Sequence, residues 1–139
     1  MSIQESKKSA GGSQKPIVLL VEDDKFLRDL IIQKLDKEGF SAQAAIEAKE
    51  AFKLIEEKKP QLILLDLVLP GMDGFAMMHK LKENPQTADI PVIILSNLGQ
   101  KEDLERAMID GAADYLVKAN FTPGEIVDKI RIVLGKKYI

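Results

Sequence analysis

Apolar positions in this chain fall into two alternating rhythms. Short unbroken runs, Ile17-Val18-Leu19-Leu20-Val21, Leu62-Ile63-Leu64-Leu65, Val92-Ile93-Ile94-Leu95 and Tyr115-Leu116-Val117, have the length and branched character of buried strands. Between them apolar residues recur three or four apart, the helical period. The stripes are Phe26, Leu27, Leu30, Ile31 and Leu35, then Ala48, Ala51, Phe52 and Ile55, then Phe75, Met78 and Leu81. Leu104, Ala107 and Met108 form a fourth, and Ile126, Ile130, Val133 and Leu134 a fifth. Phe40 to Ile46 reads as a weak, Ala-rich strand suited to a sheet edge. The punctuation agrees. Gly39, Lys58-Lys59-Pro60 and Asn84-Pro85 stop helices, while Asp73 is placed to cap one. Thr122-Pro123-Gly124-Glu125 has the spacing of a capping box with proline at the first helical position.

Strands apolar on both faces need covering on both faces, so five strand–helix units predict a three-layer α/β/α sandwich around a parallel sheet. Right-handed crossovers and the weak second strand favour the strand order 2-1-3-4-5, a flavodoxin-like arrangement.

Composition narrows the picture without changing it. With 139 residues, 45% hydrophobic and 30% charged, the chain suits one globular domain, predicted over 16–139. Residues 1–15, rich in Ser, Gly, Gln and Lys and without periodicity, read as a flexible tail with no expected function. A net charge of -2 gives no pull toward nucleic acid, and no apolar stretch is long enough to span a membrane. Cysteine is absent, and the N-terminus is too polar for a secretory signal, so the cytoplasm is the expected location.

Each strand-like run ends on a polar residue of a different kind: Glu22-Asp23-Asp24, Asp66, Ser96 and Lys118. In an open parallel sheet these ends share one rim, the edge where ligands bind. Three converging carboxylates from Glu22, Asp23 and Asp66 repel one another unless a cation intervenes. Mg2+ accepts a few carboxylate oxygens and a phosphate oxygen together, and it offsets charge on a transferring phosphoryl group. Lys118 supplies a compact cation and Ser96 a donor for phosphoryl oxygens. Asp66 is then the natural in-line nucleophile, with an acyl phosphate as product. Asp24 suits a helix cap, and His79 is expected to be exposed and uninvolved.

The motifs Val-Glu-Asp-Asp, Leu-Asp-Leu-Val-Leu-Pro-Gly-Met-Asp-Gly, Leu-Ser-Asn and Tyr-Leu-Val-Lys, in this order and spacing, resemble the receiver domains of bacterial response regulators. The resemblance runs from about Lys15 to the C-terminus. It implies that Asp66 accepts a phosphoryl group from a histidine kinase or histidine phosphotransfer protein. It also implies that Asp23, Asp66 and the Val68 carbonyl bind Mg2+ (or Mn2+), with Glu22 beside them or acting through water. Ser96 and Lys118 would sense the phosphate, and Tyr115 falls at the family's aromatic switch position. Output would pass to a downstream protein, or to self-association, through the fourth helix, fifth strand and fifth helix. Nothing recognisable follows the last helix, so a stand-alone receiver is expected, the alternative being a fragment of a longer regulator.

Three positions depart from the family pattern. Ala119 replaces the usual proline after the lysine, and a non-proline cis bond costs ~3–4 kcal/mol, so a trans Lys118–Ala119 peptide is expected. Val68 and Leu98, which in the family flank the path of the hydrolytic water, are apolar, so self-dephosphorylation is expected to be slow. Three rival readings are weaker on chemistry. An aspartyl-nucleophile phosphatase resembling the haloacid-dehalogenase group needs an Asp where Val68 stands. A flavin or nucleotide carrier needs a phosphate cradle where Glu22-Asp23-Asp24 stands. A pseudo-receiver scaffold would not need every chemical position filled. The chain is accordingly expected not to be an enzyme beyond self-catalysed phosphoryl transfer to Asp66.

Overall fold

The strand ends gather on one rim because all five strands run parallel. The structure, a computed structural model, describes residues 15–97 and 100–138, so nearly all of the predicted tail, and Leu98, lie outside the described residues. The elements are β1 (Ile17–Val21), α1 (Lys25–Lys37), β2 (Ser41–Ala45), α2 (Ala48–Glu57), β3 (Leu62–Asp66), α3 (Gly74–Glu83), β4 (Val92–Ser96), α4 (Lys101–Ile109), β5 (Asp114–Val117) and α5 (Pro123–Tyr138). A single 3-10 turn, Lys118–Asn120, leads from β5 toward α5. The sheet order is β2-β1-β3-β4-β5, as the weak second strand predicts. The chain is therefore the expected flavodoxin-like sandwich.

β1, β3 and β4 are buried along their whole length, while β2 is only half-buried at its edge position. One apolar cluster joins the sheet to α2, α3 and α4, and a second joins its other face to α1 and α5. Burial of these aliphatic side chains is the main driving force for the fold.

Local signals were legible. Asp24 accepts from Leu27 N–H at 3.2 Å and Asp73 from Ala76 N–H at 2.8 Å, capping α1 and α3. Thr122 and Glu125 close the capping box reciprocally, at 2.9 and 3.2 Å. The stripes were less reliable. On α1, Ile31 and Leu35 are buried but Phe26 is 76% exposed and Leu30 is also exposed. On α4, Leu104 and Met108 are exposed and Ala107 is the buried residue. Val133 on α5 is only partly buried. Helical spacing places residues on one face, but the docking angle decides how much of that face the sheet covers.

Candidate functional site

Parallel registers bring the predicted residues together. Leu65 pairs with Val21 and Asp66 with Leu95, so Glu22, just beyond β1, and Asp66, ending β3, emerge on adjacent strands. Ser96 ends β4 opposite Val117 of β5, one residue before Lys118. Glu22 and Ser96 are both 0% exposed, Asp66 is 4% exposed, and Asp23 is exposed.

Lys118 organises the buried charges. Its Nζ lies 2.7 Å from Glu22 Oε1 and 3.0 Å from Asp66 Oδ2. The contact to Glu22 Oε1 is a close ion pair, but its angle leaves that oxygen without a hydrogen bond. Glu22 Oε2 accepts from Asp24 N–H at 3.1 Å, and Asp66 Oδ1 accepts from Val68 N–H at 3.1 Å. Burial pushes the Glu22 carboxyl above the usual range; Lys118 pulls it back and the charge of Asp66 adds to the rise. For Lys118, burial is the largest single influence and pulls the ammonium down. The close contacts and negative charges of Glu22 and Asp66 together outweigh it, and its pKa ends raised. A buried ammonium between two carboxylates therefore stays charged.

The donor set fits a hard divalent cation. Glu22, Asp23 and Asp66 each offer a carboxylate oxygen within 4.8 Å of the others. All are oxygen donors, and Glu22 Oε1 keeps free lone-pair capacity.

Tyr115 is buried, and its hydroxyl shares a hydrogen bond with Ser96. The two stand on the same face of neighbouring strands, since Tyr115 pairs with Ile94, two residues before Ser96. Burial raises the Tyr115 pKa, Ser96 opposes this, and the charge of Asp103 adds to it. The Lys118–Ala119 peptide is trans, as expected, with no cis bond among the described residues. The Val68 side chain, two residues after Asp66, is 62% exposed.

Two glycines shape the loop after Asp66. Gly71 has φ +85°, which L side chains rarely adopt. A Cβ on Gly74 would sit 2.6 Å from the Asp66 carbonyl oxygen and from Leu67 Cα, so only glycine lets α3 begin against the β3 end. Three features were not evident from sequence. His79 is exposed, but its Nε2 lies 3.4 Å from Asp110 Oδ2 across the α3–α4 seam. Arg106 stacks 3.9 Å over the Phe75 ring in the same seam. Arg28 Nη1 donates to the carbonyls of Glu22 and Asp23.

Comparison with known proteins gives a consistent result. A family model described as response regulator receiver domain matches residues 18–131. The DNA-binding dual master transcriptional regulator RpaA of Synechocystis sp. is 37% identical over 87% of this chain and 50% of its own length. The phosphate regulon transcriptional regulatory protein PhoB of Escherichia coli is 38% identical over 86% of this chain and 52% of its own. The chain thus spans about half the length of the curated relatives it matches. Among solved structures, the receiver domain of Francisella response regulator 1452 superposes with a TM-score of 0.80 at 31% identity, covering 88% of this chain and 98% of that one.

Proposed function

The chain belongs to the response regulator receiver domain family of two-component signalling, and from that premise we propose that Asp66 is its phosphoacceptor. The observation that carries this reading is the buried Asp66 carboxylate, held 3.0 Å from Lys118 beside two further acidic residues. The phosphodonor is a histidine kinase or histidine phosphotransfer protein. A carboxylate oxygen of Asp66 attacks phosphorus, the phosphorus–nitrogen bond of the phosphohistidine breaks, and the imidazole leaves with its electron pair. Glu22, Asp23, Asp66 and the Val68 carbonyl would hold Mg2+ (or Mn2+), which when bound neutralises charge on the transferring group. Lys118 is then released from one carboxylate to pair with a phosphoryl oxygen. Ser96 donates to another, giving up its bond to Tyr115, so phosphorylation reaches the β4–β5 face through a side chain already in place.

The protein is a switch rather than an enzyme: it is modified once, and its output is a change of partner or of self-association at the α4–β5–α5 surface. No described helix is long and apolar enough to cross a membrane; we assign the domain to the cytoplasm because its proposed phosphodonor acts there. The relatives' names as transcriptional regulators attach to chains about twice as long. The chain, at net charge -2, is assigned no direct nucleic-acid contact.

Incubation with acetyl phosphate and Mg2+, read by intact mass, tests the reading. One phosphoryl adduct is expected on wild type, none on Asp66→Asn, and none after chelation. Equal labelling of Asp66→Asn would move the acceptor elsewhere. Steady turnover of a phosphomonoester would favour the phosphatase alternative. The apolar Val68, two residues after Asp66, supports slow acyl-phosphate hydrolysis, and Val68→Asn should shorten the adduct's lifetime.

A further inference from the structure

The carboxylates proposed to hold the cation are fixed by unequal means. Glu22 and Asp66 are buried and clamped by Lys118. Asp23 is exposed, and its carboxylate makes no hydrogen bond or ion pair among the described residues. Its direction therefore depends on its own backbone. The two peptide units flanking its Cα carry the carbonyls of Glu22 and Asp23, and Arg28 Nη1 donates to both, at 3.1 and 3.2 Å. One nitrogen, reaching back from the first turn of α1, thus bridges the two planes that set φ and ψ of Asp23. The helix end is anchored in turn, since Arg28 N–H donates to the Asp24 carbonyl at 2.9 Å and the Asp24 carboxylate caps α1. Arg28 forms no ion pair among the described residues, so its guanidinium consumes no carboxylate oxygen that the cation needs.

We propose that Arg28 is a positioning residue of the cation site, holding the turn after β1 so that Asp23 faces Glu22 and Asp66. This rests on the reading of Glu22, Asp23 and Asp66 as a Mg2+ site. It makes a prediction opposite in sign to simple electrostatics. As a nearby positive charge, Arg28 repels a cation, so removing it would tighten binding. As a positioning residue, its loss weakens binding.

The test is Mg2+ titration by calorimetry, with Mn2+ as a paramagnetic second probe, on wild type, Arg28→Met and Arg28→Lys. Methionine keeps the aliphatic stem and removes the donors; lysine restores a donor within reach of the carbonyls. Arg28→Met should bind about tenfold more weakly, the scale of lost partners behind a metal ligand, and Arg28→Lys should recover most of that loss. A folded Arg28→Met protein with equal or tighter affinity would overturn the proposal. Should the methionine variant not fold, Arg28→Gln makes the same comparison. Failure of both to fold would make Arg28 a folding residue and overturn the proposal too. If wild type bound Mg2+ and accepted a phosphoryl group while Arg28→Met bound equally well, this inference alone would fail. Wild type that took up no Mg2+ would remove the reading of the site and this inference with it.

Discussion

α3 and α4 lie on the same face of the sheet and differ in length by one residue, 10 against 9, yet they are attached differently. In α3, Gly74, Phe75, Met77, Met78 and Leu81 are buried, whereas in α4 Ala107 alone is. α3 starts in contact with the β3 backbone at Gly74. Its far end is tied by the Thr87 hydroxyl, which donates to the Leu81 carbonyl at 2.6 Å. α4 leans on α3 through Arg106 over Phe75 and the Asp110–His79 contact, and leaves Leu104, Met108 and Ile109 exposed, the last at 84%. The difference teaches that α3 is a wall of the site. α4 is a lightly held cover, with a low cost of displacement because little apolar surface leaves its partner when it moves.

The largest expected effect breaks the wall. Leu81→Ala should cost about 2–5 kcal/mol in urea unfolding, the range for deleting a fully buried leucine. Met108→Ala on α4 should stay within about 0.5 kcal/mol. Equal losses would erase the contrast. Next comes Gly74→Ala, whose added methyl meets main-chain atoms that cannot swing aside. It should cost about 1–3 kcal/mol by overpacking and slow phosphorylation of Asp66 by moving the β3 end. Phosphorylation at the wild-type rate would show that the loop absorbs the methyl.

Smaller again is Arg106→Gln, which removes an exposed cation–π contact and should cost about 0.5–1 kcal/mol. Its sharper readout is amide hydrogen exchange, expected to quicken in α4 and to stay unchanged in α3. The smallest effect is spectroscopic. Because burial raises its pKa, Tyr115 should ionise above the ordinary tyrosine value of 10.0 in an alkaline absorbance titration. The stability this shift represents is fully present below the ordinary value and is lost as pH rises through the raised one. Ser96→Ala should move the transition further up, since the hydrogen bond with Ser96 lowers it. A transition unmoved by that substitution would uncouple Ser96 from Tyr115.

The sequence by itself determined the architecture and the identity of the chemical groups. Runs of four or five branched apolar residues between helical stripes read as strands covered on both faces. Parallel strands present their ends together, so Glu22, Asp23, Asp66, Ser96 and Lys118 share a rim once the order of elements is known. Caps at Asp24, Asp73 and Thr122 were legible because their hydrogen bonds close within three residues. Tertiary structure alone decided which carboxylate is buried and which is wet, and how Lys118 divides itself between Glu22 and Asp66. It alone decided that Arg28 holds main-chain carbonyls and that two of the five stripe residues on α1 and most of those on α4 face solvent. Periodicity records local backbone preference, which the chain carries residue by residue. Burial and pairing across 52 positions, as between Asp66 and Lys118, depend on how packed elements meet, and no local pattern encodes that angle.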